Sequence, residues 1–108
     1  MNEEKKVQIS LLNQTYGGIL TDRQREVLER FYDCDCSLGE IAEEAGISRQ
    51  AVLDSIKKAE DTLLKAERTL RLLFLKQQLA DCVEELRKTT ERESVEKIAD
   101  EMAALLEI

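Results

Sequence analysis

The sequence predicts an all-α protein: a helix-turn-helix core, a long C-terminal helix, and a final acidic amphipathic helix. Three observations predict it. The 108 residues include no Pro, which inside a helix deletes a backbone donor and clashes with the preceding turn. Charged residues make up 36% of the chain, with few β-branched or aromatic runs. Residues 37–58 read S-L-G-E-I-A-E-E-A-G-I-S-R-Q-A-V-L-D-S-I-K-K, the pattern of a short helix, a Gly turn and a second helix.

Each element has its own signal. Residues 4–16 form a first helix with Ile9, Leu12 and Tyr16 on one face and Leu11 beside it. Gly17-Gly18 breaks it, since glycine reaches left-handed backbone at little cost. Thr21-Asp22-Arg23-Gln24 is a capping box that opens a helix to about Tyr32, with Val27, Leu28, Phe31 and Tyr32 as its buried stripe. Asp33-Cys34-Asp35-Cys36 is a loop. Ser37-Leu38-Gly39-Glu40 is a second capping box, opening a two-turn helix through Glu44 that Gly46 ends. Ser48 caps the next helix.

From Arg49 to about Lys88 no Gly, Pro or turn cluster interrupts the chain. An unbroken helix there would be roughly 60 Å long. Ile56, Ala59, Leu63, Ala66, Leu70 and Leu73 alternate spacings of three and four, an a/d seam of nearly three heptads. A lone rod cannot bury such a seam. It must bend, receive other helices or pair with a second chain, and a homodimer through Ile56, Leu63, Leu70, Leu73 and Phe74 is the expectation. Thr89-Thr90 with Glu93 reads as a third capping box, and the last helix runs from about Glu91 to Leu106 with Val95, Ile98, Ala99, Met102 and Leu105 on one face. The expected division is a helix-turn-helix core at 1–66 and a helical extension at 67–108.

Composition excludes several functions. No His is present, which removes the commonest general base and metal ligand. The four glycines are Gly17, Gly18, Gly39 and Gly46, so no Gly-rich phosphate loop exists. Carboxylates sit mostly beside Lys or Arg at helical spacing, as in Glu26 with Arg30 and Glu84 with Lys88, the pattern of surface ion pairs. Cys34, Cys36 and Cys82 form neither a disulfide framework nor a zinc set, and the Asp33–Asp35 loop is too short for calcium. No enzyme, cofactor or metal is expected. No apolar run reaches the length of a membrane span, and Met1-Asn2-Glu3-Glu4-Lys5-Lys6 lacks the apolar stretch of a signal peptide, so a cytoplasmic protein without membrane insertion is expected.

The net charge is −7, which on average repels a polyanion. Residues 91–108 contribute −4 of it, so the acidity lies largely in the tail. In a helix-turn-helix the second helix meets base edges with its N-terminal residues. Here that end carries Ser48, Arg49 and Gln50, followed by Asp54, Lys57 and Lys58, with Arg23, Arg25 and Arg30 on the preceding helix as further positive charge. Arg49 and Gln50 can form bidentate hydrogen bonds, and Lys57 and Lys58 can meet phosphate. Glu40, Glu43, Glu44 and Asp54 offset them, so a protein-binding scaffold with ordinary solvated charges is an equal reading.

From Tyr16 to Ala66 the sequence resembles the bacterial YlxM family of small helix-turn-helix proteins. The resemblance is carried by the Tyr16–Gln24 entry, the paired aromatics Phe31-Tyr32, S-L-G-E-I-A-E at Ser37–Glu43 and S-R-Q-A-V at Ser48–Val52. The same wingless core looks like the promoter-reading last domain of bacterial sigma factors. Cys34 and Cys36 depart from the family pattern, as does the extended acidic end. The resemblance implies a regulatory or accessory factor of the signal recognition particle pathway, acting through the particle's RNA, its GTPase or the GTPase's receptor. The alternatives are a DNA-binding transcriptional regulator using residues 48–58, and a purely structural interaction module.

Overall fold

The structure, a computed structural model, describes residues 3–107; Met1, Asn2 and Ile108 lie outside the described residues. Six α-helices follow in order: α1 (Glu3–Tyr16), α2 (Asp22–Tyr32), α3 (Leu38–Ala45), α4 (Arg49–Leu70), α5 (Leu72–Lys88) and α6 (Arg92–Leu105), with a short 3-10 turn at Gly17–Ile19. The chain divides into two compact units between Leu70 and Arg71.

In the first unit, α1, α2 and α3 all pack on α4. Ile9 and Leu12 of α1, Val27 and Leu28 of α2, Ile41 of α3, and Val52, Ile56, Ala59 and Leu63 of α4 are buried together. The sequence's local signals are realised in atoms. Gln24 donates its backbone N–H to Thr21 Oγ1 at 3.1 Å, and Thr21 donates its own to Gln24 Oε1 at 3.0 Å. Ser37 and Glu40 repeat the exchange at 3.1 and 3.0 Å. Accepting the Ser37 backbone N–H, and then its hydroxyl, favours the ionised Glu40 carboxyl and lowers its pKa.

Polar contacts tie the helices crosswise. Tyr16 donates its hydroxyl to Glu67 at 2.6 Å, and Tyr32 donates to Glu60, so both tyrosines anchor to α4. Burial first, and the Glu60 carboxylate second, push the Tyr32 phenol well above its usual range. Phe31 stands edge-on to Tyr32 with ring centroids 5.0 Å apart. Ser10 donates to Asp33 at 2.7 Å and Lys6 pairs with Asp35 at 2.9 Å, which fastens α1 to the loop after α2. Arg30 reaches Glu26 at 3.5 Å and also pairs with Glu44 of α3, so it joins the two helices and is not an open cation.

Gly46 ends α3 in left-handed backbone with φ 70°, and its N–H donates to the Ala42 carbonyl. A Cβ there would meet nothing within 4 Å, so substitution carries a backbone cost alone. Gly46→Ala is therefore expected to destabilise the first unit by about 1–2 kcal/mol. A thermal melt of the variant, with a midpoint several degrees lower, checks this.

Two expectations are corrected here. The helix from Arg49 does not run unbroken to Lys88. It stops at Leu70, giving a rod of about 33 Å, and Arg71 takes left-handed backbone with φ 52° before α5 begins. No Gly or Pro marks the break. The Arg71 guanidinium lies 4.3 Å from the centroid of the Phe74 ring, a cation–π contact that helps hold a conformation costly for a side-chain-bearing residue.

The second correction concerns the seam. Ile56 is 3% and Leu63 0% exposed, both covered by helices of their own chain. They are core, not a surface for a second copy. Of the other residues expected to pair chains, Leu70 is exposed, while Leu73 and Phe74 are half-buried.

The second unit is a hairpin of α5 and α6 joined by Thr89–Glu91. Its buried side chains among the described residues are Cys82 and Ile98. Burial, followed by the carboxylates of Glu101, Glu85 and Asp81, raises the Cys82 thiol pKa. The expected third capping box is absent. Glu91 is the cap residue and makes no side-chain cap bond, while Thr89 Oγ1 accepts only the Glu91 N–H at 3.3 Å. Glu84 pairs with Arg87 at 3.6 Å, not with Lys88.

Candidate nucleic-acid interface

The helix-turn-helix is α3, the Gly46 turn and α4. Gly46 and Ile47 both donate their N–H groups to the Ala42 carbonyl, which closes the turn tightly. Ser48 Oγ accepts the Ala51 N–H at 3.0 Å, so Ser48 holds the start of α4. The buried stripe Val52, Ile56, Ala59 and Leu63 fixes which way α4 faces. At 3.6 residues per turn the opposite face carries Gln50, Asp54, Lys57, Lys58, Asp61, Lys65 and Arg68, all exposed.

The predicted contact residues within α4 fall into three groups. Gln50 Nε2 donates to Asp54 Oδ1 at 2.9 Å, so the amide and the carboxylate form one polar unit. Lys57 and Lys58 are exposed with no ion pair among the described residues. Arg49 folds back over the first turn of α3. A Cβ on Gly39 would come within 2.9 Å of its guanidinium, and Gly39 is the residue that makes room for it.

Arg23 and Arg25 stand apart from this end of α4. Arg25 pairs with Asp22 at 3.4 Å, and its side chain runs past Gly17. That glycine opens the 3-10 turn ending at Ile19, and Ile19 shares a groove with Thr62, Lys65, Ala66, Thr69 and Leu70. The start of α2 thus lies beside the C-terminal half of α4, about 25 Å along the helix from Arg49. The start of α2, which carries Arg23 and Arg25, therefore does not join the Arg49–Gln50 end.

Lys65 and Arg68 were missed by reading residues 48–58 alone. Their signal is in the sequence: they follow Lys57 by eight and eleven positions, which returns to the same helix face. The face bears four cations against Asp54 and Asp61, so it is locally positive in a chain that is acidic as a whole. Among the described residues no group of three Cys, Asp or Glu is arranged to hold a metal ion, and no helix is long and apolar enough to cross a membrane.

Comparison with known proteins gives this geometry a lineage. Residues 3–102 match the model of the UPF0122 family, the YlxM / p13-like helix-turn-helix proteins. The chain belongs to this family. A UPF0122 protein of Halalkalibacterium halodurans is 36% identical over 104 residues, covering 96% of this chain and 93% of that protein. One from Caldanaerobacter subterraneus subsp. tengcongensis is 44% identical over 80 residues, covering 74% and 68%. One from Desulforamulus reducens is 51% identical over 65 residues, covering 60% of this chain and 56% of that protein. In that last match the chain spans little more than half the length of its relative. The family match takes in α1 to α5 and most of α6, so the hairpin belongs to the UPF0122 pattern as the helix-turn-helix does.

Proposed function

We propose that this UPF0122 protein is a non-enzymatic, cytoplasmic regulatory factor that contacts nucleic acid through the outward face of α4. One observation carries the reading: Lys57, Lys58, Lys65 and Arg68 lie on one exposed face of the second helix of a helix-turn-helix, none of them in an ion pair with the described residues. Asp54 and Asp61 interrupt that face, which favours modest, partner-assisted binding over tight autonomous binding. The resemblance to the YlxM family directs the first probe to the RNA of the signal recognition particle, with the particle's GTPase and its receptor as protein partners. The shape of α4, a single helix clear of its neighbours on one side, directs the second probe to the major groove of duplex DNA.

The test is a fluorescence-anisotropy titration of the full chain against both nucleic acids over a range of salt. Four phosphate contacts give a slope of log K against log salt of about −3 to −4. Affinity for the RNA over the duplex supports the signal recognition particle reading. Sequence-specific duplex binding below micromolar at physiological salt moves the protein to the transcription regulators. Salt-independent or absent binding to both, with binding to the GTPase retained, overturns nucleic-acid contact and leaves a protein-interaction module.

A further inference from the structure

The cations of α4 are ordered around the helix as well as along it. At about 100° per residue, Lys57 and Arg68 fall within about 20° of each other, and so do Lys58 and Lys65. The two pairs stand on opposite flanks of the outward face, about 60–100° apart. Asp54 and Asp61 lie between them, within about 10° of the midline. All six side chains are exposed, and neither Asp61 nor any of the cations enters an ion pair with the described residues. The face is therefore two cationic lines, about 10 and 16 Å long, with a negative ridge between them.

That pattern discriminates between forms of nucleic acid. A single strand laid along the ridge meets Asp54 and Asp61, and laid on one flank it meets only that flank's pair of cations. A duplex has two phosphate backbones with a groove between them. A helix is about 10–12 Å across with its side chains, and the major groove of B-DNA is about 12 Å wide. A-form RNA offers a wide, shallow minor groove instead. In either case each backbone meets one flank, while the two carboxylates face the groove and stay clear of phosphate. Single strands are held largely by bases stacked on aromatic rings, and α4 contains no aromatic residue. Base reading is served no better. The Gln50 amide donates to Asp54, and Arg49 lies about 130° from the midline, over Gly39 of α3.

We propose that α4 grips a double-stranded nucleic acid by its two phosphate backbones, without reading base sequence. Lys57 and Arg68 hold one strand, and Lys58 and Lys65 hold the other. This grip rests on the assignment of nucleic acid to the α4 face and adds the form of the ligand. It departs from the usual helix-turn-helix contact, in which the N-terminal residues of the second helix meet base edges.

Anisotropy titrations of the full chain against a DNA duplex, an RNA duplex of the same sequence and an unstructured oligothymidylate of equal length test it. Four contacts to the DNA duplex give a slope of log K against log salt of about −3.6, and two contacts to a single strand give about −1.4. From equal binding at 1 M salt, the DNA duplex is then expected to bind about a hundredfold more tightly at 0.1 M. The tighter of the two duplexes identifies the groove. Three duplexes of unrelated sequence are expected to agree within about twofold. Asp61→Lys, which closes the gap between the flanks, should raise oligothymidylate affinity about five- to tenfold and duplex affinity by less. Equal slopes for duplex and single strand overturn the two-flank grip while leaving nucleic acid on α4, as does an equal gain for both from Asp61→Lys. A preference of about tenfold or more among the duplex sequences overturns backbone-only recognition. Salt-independent or absent binding to all three probes overturns the grip and the α4 assignment together.

Discussion

Leu63→Ala is expected to cost the first unit about 3 kcal/mol, a loss that does not depend on protein concentration. Leu63 is 0% exposed at the middle of α4, in the helix on which α1, α2 and α3 all pack. Truncating it removes apolar surface and leaves a cavity in the core of this unit. A unit of some seventy residues has a total stability of roughly 4–10 kcal/mol, so the loss is about 30% of it or more. Tyr16 and Tyr32 both lie in this unit and are the only tyrosines, so tyrosine fluorescence during urea unfolding reports on it specifically. Leu70→Ala is the control, since Leu70 is 65% exposed and its truncation should stay within about 0.5 kcal/mol. Were the seam a pairing surface between chains, the Leu63→Ala midpoint would move with concentration. A concentration-independent shift identifies it as an internal core.

Leu63 also shows what the sequence could and could not disclose. The three-and-four spacing of Ile56, Ala59 and Leu63 identifies a helix with one apolar stripe, and that is what α4 is. The same spacing serves an intermolecular coiled coil and a helix covered by its own chain, because both bury one side of a rod. Deciding between them takes tertiary knowledge: that α1 and α2 turn back onto α4, held by Tyr16 to Glu67 and Tyr32 to Glu60. Local signals fared better where the chemistry is local. The boxes at Thr21 and Ser37, the Ser48 cap and the left-handed Gly46 need only a few residues each, and all four form.

The missed features are those in which distant groups override local preference. Arg71 turns left-handed without a glycine, and its contact with Phe74 follows from that turn, so no local pattern announces it. Thr89 and Thr90 have the letters of a capping box, yet the helix starts later, at Arg92, and the box does not close. At the candidate interface the helix and its outward residues were legible, but the use of Arg49 was not. A clue existed in Gly39, a residue that costs stability inside a helix and so marks a place where another group approaches closely.

Lys57→Ala combined with Lys58→Ala is expected to weaken nucleic-acid binding about fifty- to hundredfold at 0.1 M salt. Each phosphate contact contributes about 0.9 to the slope of log K against log salt, so losing two flattens it by nearly 2. Measured against 1 M salt, where counterion release contributes nothing, one decade of dilution converts that slope change into the affinity loss. Stability should change little, because both side chains are exposed and no ion pair with the described residues is lost. Asp54→Asn gives the opposite sign: it removes a negative charge from the same face, keeps a side-chain acceptor for Gln50, and should tighten binding. The two substitutions together separate electrostatic contact from misfolding, since damage to the fold cannot raise affinity in one variant and lower it in the other. Unchanged slopes in both would move the nucleic acid off α4 altogether.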